Sequence, residues 1–97
     1  MTRKLMKITT SLELLDWFKT VADVESDYMA AKITGISKQM ISDVRKEKTD
    51  FSPHTIMQLL VIADHPQPLE TLAVIEANKA KKRGDEKLET IWRSQVA

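Results

Sequence analysis

The chain has 97 residues, of which 42% are hydrophobic, so it is long enough for one domain with a small core. It has no cysteine, which excludes disulfides and thiolate zinc sites, and its formal net charge is only +1. With 2 glycines, 3 prolines and few β-branched or aromatic runs, the composition favours an all-α fold over a sandwich or a barrel.

Residues 1–10 form a short basic lead, which we interpret as a flexible N-terminal arm; a frayed terminus is the alternative. The first helix is predicted from Thr10 to about Val24. Thr10 and Glu13 have the spacing of a capping box, in which each side chain accepts the other residue's backbone N–H. The apolar stripe of this helix, with the adjoining aromatic Trp17, is predicted to face the core and includes Leu14, Phe18 and Val21.

Two short helices joined by a tight turn are predicted next, over about Asp27–Thr34 and Lys38–Lys46. Gly35 ends the first, because glycine adopts a left-handed backbone without a Cβ clash. Ser37 begins the second as an N-cap. A helix, a short glycine-containing turn and a second helix make the helix-turn-helix pattern, here over residues 27–46.

The second of these helices has an apolar face and a polar remainder. Ile41 and Val44 are three residues apart and therefore share a face, which we expect to be buried. The polar and charged residues then point elsewhere. Such a short amphipathic helix is what reading the major groove of DNA requires.

A polar connection over residues 47–52 precedes the next helix, which begins after the N-cap Ser52 with Pro53 at its first position and runs to about Ala63. The two prolines within residues 64–68 interrupt the helical pattern, and a fifth helix is expected to begin near Pro68.

Gly84 and Asp85 mark a break, and residues 86–95 predict a last short helix bearing Trp92. This helix is too short to be stable alone, so it must pack either on its own domain or on a partner chain. The predicted organisation is an arm over residues 1–10, a helix-turn-helix domain over 11–80, and a charged C-terminal extension over 81–97.

No catalytic constellation is apparent, and we do not expect an enzyme. The two histidines lie far apart in the sequence, and the serines occupy capping or recognition positions rather than positions beside a base. No glycine-rich phosphate loop or metal-loop spacing occurs, so no cofactor or metal is predicted. No apolar run reaches the ~20 residues that a membrane helix needs, and no signal peptide is evident. We therefore expect a cytoplasmic protein without membrane contact.

Residues 26–63 resemble the lambda-repressor/Cro-like helix-turn-helix family of DNA-binding domains. The matching residues are Ala31, Gly35, Ile36-Ser37-Lys38-Gln39, Ile41-Ser42 and Ser52-Pro53-His54-Thr55, leading into Ile56-Met57-Gln58-Leu59-Leu60. Where Asp27 stands, the family often has a glutamine that contacts a phosphate, and a carboxylate cannot replace it. The glycine that often follows the recognition helix is also missing here. Small phage regulators of this layout tend to carry a charged C-terminal extension with a tryptophan, which Trp92 matches.

The pattern and the resemblance together predict a sequence-specific transcriptional regulator of phage or mobile-element type, acting as a repressor on double-stranded DNA. The helix over residues 38–46 would enter the major groove, and its N-terminal amides would face a phosphate or a base edge. Gln39 suits adenine, Lys38 guanine and Ser42 a base edge or a thymine methyl, while Asp43 suits a cytosine amine or an intramolecular ion pair. The expected DNA-binding residues are Ser37, Lys38, Gln39, Ser42, Asp43, Arg45, Lys46 and Lys48, the last three as phosphate contacts.

A single small DNA-reading unit favours a homodimer on a palindrome. Two other interpretations of the function remain open. One is an interaction module of the same fold, an antirepressor or adaptor that binds another phage or host regulator. Asp27, the acidic first helix and the small net charge favour it. The other is an antitoxin-like partner that also binds its own promoter, although no separate toxin-binding tail is evident.

Overall fold

The computed structural model describes residues 7–96, and this part of the chain contains six α-helices and no strands. This confirms the prediction of an all-α fold. The helices are α1 (Ser11–Val21), α2 (Asp27–Thr34), α3 (Lys38–Arg45), α4 (Pro53–Ile62), α5 (Pro68–Lys82) and α6 (Glu86–Arg93). None of the helices in the described part of the chain combines the length and the apolar character that crossing a bilayer requires.

Most of the helices begin at a side-chain cap, as the sequence predicts. The hydroxyls of Ser26, Ser37 and Ser52 each accept the backbone N–H three residues ahead. The capping box of α1 is confirmed only in part. Thr10 accepts the N–H of Glu13, but the carboxylate of Glu13 accepts the N–H of Thr9, at 2.7 Å, instead of that of Thr10.

The predicted end of α1 is wrong by three residues. The helix ends at Val21 rather than Val24, because Asp23 adopts a left-handed backbone with φ of 56°. The N–H of Val24 then donates to the Lys19 carbonyl at 2.8 Å, a bond that closes a Schellman-type ending. Val21 is exposed, so its predicted place in the core is also wrong.

The core lies between α1, α2, α3 and α4, and Ile75 of α5 also belongs to it. Trp17 and Phe18 are both buried, as predicted for α1. Phe51 was missed: it belongs to the connection that the sequence presents as polar, yet it is fully buried. Its backbone N–H donates to Ser11 Oγ at 3.1 Å, and its carbonyl accepts from Lys79 Nζ at 2.9 Å. The connection between α3 and α4 is therefore part of the core.

The two ends of the described chain both pack on α5. Ile8 is buried, and the Thr9 carbonyl accepts a bond of 2.7 Å from the Asn78 amide, so the end of the predicted arm that the structure describes joins the domain. Residues 1–6 of that arm lie outside the described residues. Helix α6 packs along α5, and Arg93 donates to the side-chain oxygen of Asn78 at 3.1 Å. Of the two alternatives for the last helix, the structure shows the intramolecular one.

Candidate functional site

Helices α2 and α3 pack against each other across a three-residue turn, with the bounds that the sequence predicts to within one residue. Gly35 takes the left-handed conformation, with φ of 79°, and its N–H donates to the Ala31 carbonyl. The buried hydroxyl of Thr34 donates to the Ala30 carbonyl at 2.8 Å and accepts the N–H of Ile36 at 3.2 Å. Thr34 thus stabilises the turn through hydrogen bonds.

One face of α3 is buried, and the remaining faces are open to solvent. Ile41 and Val44 are each only 1% exposed, as their spacing predicts. The predicted DNA-binding residues lie on the other faces of α3 or next to its two ends. Of these, Ser37, Lys38, Gln39, Lys46 and Lys48 are exposed, whereas Ser42, Asp43 and Arg45 are half-buried.

The N-terminal end of α3 leaves backbone donors available. The hydroxyl of Ser37 accepts the N–H of Met40 at 3.1 Å, and the first helical bond runs from Ile41 to the Ser37 carbonyl. The N–H groups of Lys38 and Gln39 precede that bond, so the helix gives them no partner of its own. Together with the positive end of the helix dipole, they make this end suited to an anionic or electronegative group.

Arg45, which the sequence predicts to contact a phosphate, forms ion pairs within the chain. Its guanidinium donates to Asp16 at 2.7 Å and to Asp27 at 2.8 Å, and Lys19 donates to the same carboxylate of Asp27 at 2.9 Å. The hydrogen bonds to these carboxylates raise the pKa of Arg45 above its ordinary value, and the bond from Arg45 lowers the pKa of Asp27. The four side chains tie α1, α2 and α3 together. Arg45 is therefore engaged inside the chain instead of presented outward.

Three more of the predicted residues, Lys38, Gln39 and Asp43, have intramolecular partners. The amide of Gln39 donates to the carboxylate of Asp43 at 2.9 Å, one turn further along α3. The ammonium of Lys38 lies 4.8 Å from the centre of the Tyr28 ring on α2, within the range of a cation–π contact. Tyr28 is 54% exposed, and sequence reasoning did not identify it. No feature of the sequence marks Tyr28, because its contact with Lys38 joins two separate helices.

A groove of about 200 Å³ runs between α2 and α3 on this side of the molecule. Its lining combines an apolar side chain, Ile41, with the cationic side chains of Lys38 and Lys46, the hydroxyl of Ser42 and the ring of Tyr28. Arg45 and Asp27 also reach it. The groove is thus open, mixed in polarity and bordered by two lysines.

These observations define a small all-helical protein with a polar, partly cationic surface at the pair α2 and α3. Over 92 residues, the chain is 52% identical to the uncharacterized protein Gp-c of Pseudoalteromonas phage PM2. The match covers 95% of this chain and 100% of the relative, so the chain belongs to the same family as Gp-c. No family model and no solved structure matches the chain.

Proposed function

We propose that this chain is a helix-turn-helix protein of lambda-repressor/Cro-like fold that binds duplex DNA and regulates transcription, most simply as a repressor. The observation that carries the proposal is the N-terminal half of α3. There, two backbone amides without helical partners lie beside the exposed side chains of Lys38 and Gln39, while Ile41 anchors the same helix in the core. A buried face combined with an outward polar row is the arrangement that places a short helix in the major groove.

Base reading, in this proposal, belongs to the row Gln39, Ser42 and Asp43. Gln39 pairs bidentately with adenine once it exchanges its bond to Asp43 for the base. Ser42 lies almost one turn on and faces a base edge or a thymine methyl group. Released from Gln39, Asp43 accepts from a cytosine amine.

Phosphate contacts belong to Lys46 and Lys48, which are both exposed at the end of α3 and in the following loop. Such contacts set the register of the protein on the duplex and carry no sequence information. We assign Arg45 a different task from the one its sequence suggests. Held by two carboxylates, it fixes the position of α3 relative to α1 and α2.

A homodimer on a palindromic site is part of the proposal, because one unit of this size buries too little surface to discriminate well. The half-sites would lie about one helical turn of DNA apart. Equilibrium sedimentation checks this part, and a chain that stays monomeric at micromolar concentration on its selected duplex contradicts it.

The experiment is a selection from random duplex DNA, followed by band shifts of the selected site and a scrambled site with three single variants. Gln39→Ala should relax discrimination at one base pair, for which a loss of about 1–3 kcal/mol is typical. Lys46→Ala should weaken both duplexes by a similar factor, since phosphates are common to both. Lys87→Ala removes the same charge from the exposed surface of α6 and serves as the matched control.

The competing function is an interaction module that binds another regulator. It is favoured by the neutralisation of Arg45 and by exposed apolar side chains, of which Leu69 is 70% and Val61 63% exposed. If no duplex is enriched, and wild type and all three variants bind DNA equally weakly, this second function replaces the first.

A further inference from the structure

The contact with Tyr28 distinguishes Lys38 from Gln39, Ser42 and Asp43, the other residues of α3 predicted to read bases. Lys38 is the first residue of α3, yet its ammonium lies over an aromatic ring of α2, 4.8 Å from the ring centre. The side chain therefore extends from α3 back toward the beginning of α2. A lysine that reads guanine would instead project from α3 into the groove of the DNA.

The surroundings of this pair are rich in cations. Tyr28 and Lys38 line two adjoining grooves, one of about 320 Å³ that also includes Lys32 and one of about 200 Å³ that also includes Lys46. Lys38 is thus the cation over the ring face, Lys32 and Lys46 border the grooves beside it, and Asp27 adds a carboxylate to the smaller groove. Ammonium groups act on phosphates as point charges, and an aromatic face holds one of them in place at little entropic cost.

On the basis of the proposed function, we infer that Tyr28 is a positioning residue that holds Lys38 against the DNA backbone, so that Lys38 contacts a phosphate and does not read a base. The contact then belongs to the rim between α2 and α3, next to Lys46. Base discrimination is left to Gln39, Ser42 and Asp43. The residues proposed to read bases then form one continuous strip of α3.

The first measurement concerns the pair itself and needs no DNA. A proton held over a ring face is shifted upfield, so the side-chain methylene protons of Lys38 next to the ammonium should show a ring-current shift in NMR spectra of the wild type. Tyr28→Leu should abolish this shift, whereas Tyr28→Phe, which retains the ring, should preserve it. Absence of the shift in the wild type overturns the inference while leaving the proposed function intact.

The second measurement is a salt-titrated affinity for the selected and scrambled duplexes. Lys38→Ala should weaken both by a similar factor and make the slope of log K against log salt shallower by about 0.9, the value for one phosphate. Tyr28→Leu should weaken both about two- to fivefold. In the Lys38→Ala background the same change should have no further effect, because Tyr28 acts through Lys38.

In the affinity measurement, two results contradict the inference alone. One is a Lys38→Ala variant that loses discrimination at a single base pair with an unchanged salt slope, since that identifies a base reader. The other is a Tyr28→Leu effect of equal size with and without Lys38. A wild type that shows the ring-current shift but no salt-dependent binding to any duplex refutes the proposed function, and this inference with it.

Discussion

Arg45 lies where the sequence predicts a phosphate contact, but two carboxylates hold its guanidinium. Asp16 comes from α1 and Asp27 from α2, so a single arginine connects three helices. Under the proposed lambda-repressor/Cro-like fold, Asp27 stands where a glutamine that contacts a phosphate is often found. The structure gives Asp27 a role of its own, as the partner of Arg45 and Lys19.

Asp27→Asn should lower the free energy of unfolding by about 1 kcal/mol, a modest value because the ion pairs are partly exposed. The pKa of Asp27 is lowered in the folded chain, chiefly by Arg45. Its contribution is therefore fully present above the ordinary aspartate pKa of about 3.9 and is lost as the pH falls through the lowered pKa. Urea unfolding between pH 3 and pH 8 measures it.

The expected signature is a difference between wild type and Asp27→Asn that stays constant above about pH 5 and shrinks below about pH 4. The pKa of Glu13 is also lowered, by its bonds from Thr9, but both proteins retain this residue, so its effect cancels. Glu25→Gln, on a neighbouring exposed acid, is the control and should change little. A pH-independent difference would show that Asp27 does not act through its charge.

Three helices end next to a non-glycine residue in the left-handed conformation that favours glycine. Asp23, Glu47 and Asp64 have φ between 56° and 59° and follow α1, α3 and α4. Each allows a backbone bond that closes the helix end, such as the 2.8 Å bond from the Lys48 N–H to the Asp43 carbonyl. A left-handed backbone costs a residue such as Glu47 roughly 1–2 kcal/mol, whereas aspartate adopts it more readily, so the end of α3 is the most strained of the three.

Glu47→Gly should therefore stabilise the chain by about 0.5 kcal/mol, because relief of the left-handed strain exceeds the extra entropy that glycine loses on folding. Glu47→Ala removes the same carboxylate but keeps the strain, and it should give no gain. Urea unfolding of both variants makes the comparison. A glycine variant no more stable than the alanine variant would show that Glu47 is not strained.

The helix beginnings could be predicted from the sequence, because Ser26, Ser37 and Ser52 act locally through their own hydroxyls. The end of α2 could be predicted for the same reason, because glycine, here Gly35, favours the left-handed backbone that ends a helix. The end of α1 is predicted three residues too late, because aspartate tolerates a left-handed backbone but signals it less strongly than glycine does. A residue type that strongly favours one local conformation can be read from the sequence, and one that merely tolerates it cannot.

The candidate site shows the same difference between features that the local sequence indicates and features that it does not. The exposed row of α3 follows from the spacing of Ile41 and Val44, which the sequence displays. The engagement of Arg45 and of Lys38 depends on partners from α1 and α2. Phe51 is the corresponding case in the core, since its polar neighbours hide a side chain that tertiary packing buries completely. Contacts across elements therefore account for what sequence reasoning missed.

In the whole molecule, both ends of the described chain pack on α5, and the polar face of α3 is open to solvent. Helix α6 packs on α5, while Lys38, Gln39 and Lys46 remain exposed. A net charge of +1 means that general attraction to a polyanion is weak. In the proposed function, duplex binding therefore depends on the local arrangement at α2 and α3.

The most direct test of this account is to titrate the selected duplex into isotope-labelled protein and follow the backbone amide resonances by NMR. We expect the largest changes at residues 37–48 and at Tyr28, with the resonances of α6 almost unchanged. Changes confined to α5 and α6, or no changes with any duplex, would contradict the assignment of DNA binding to this face.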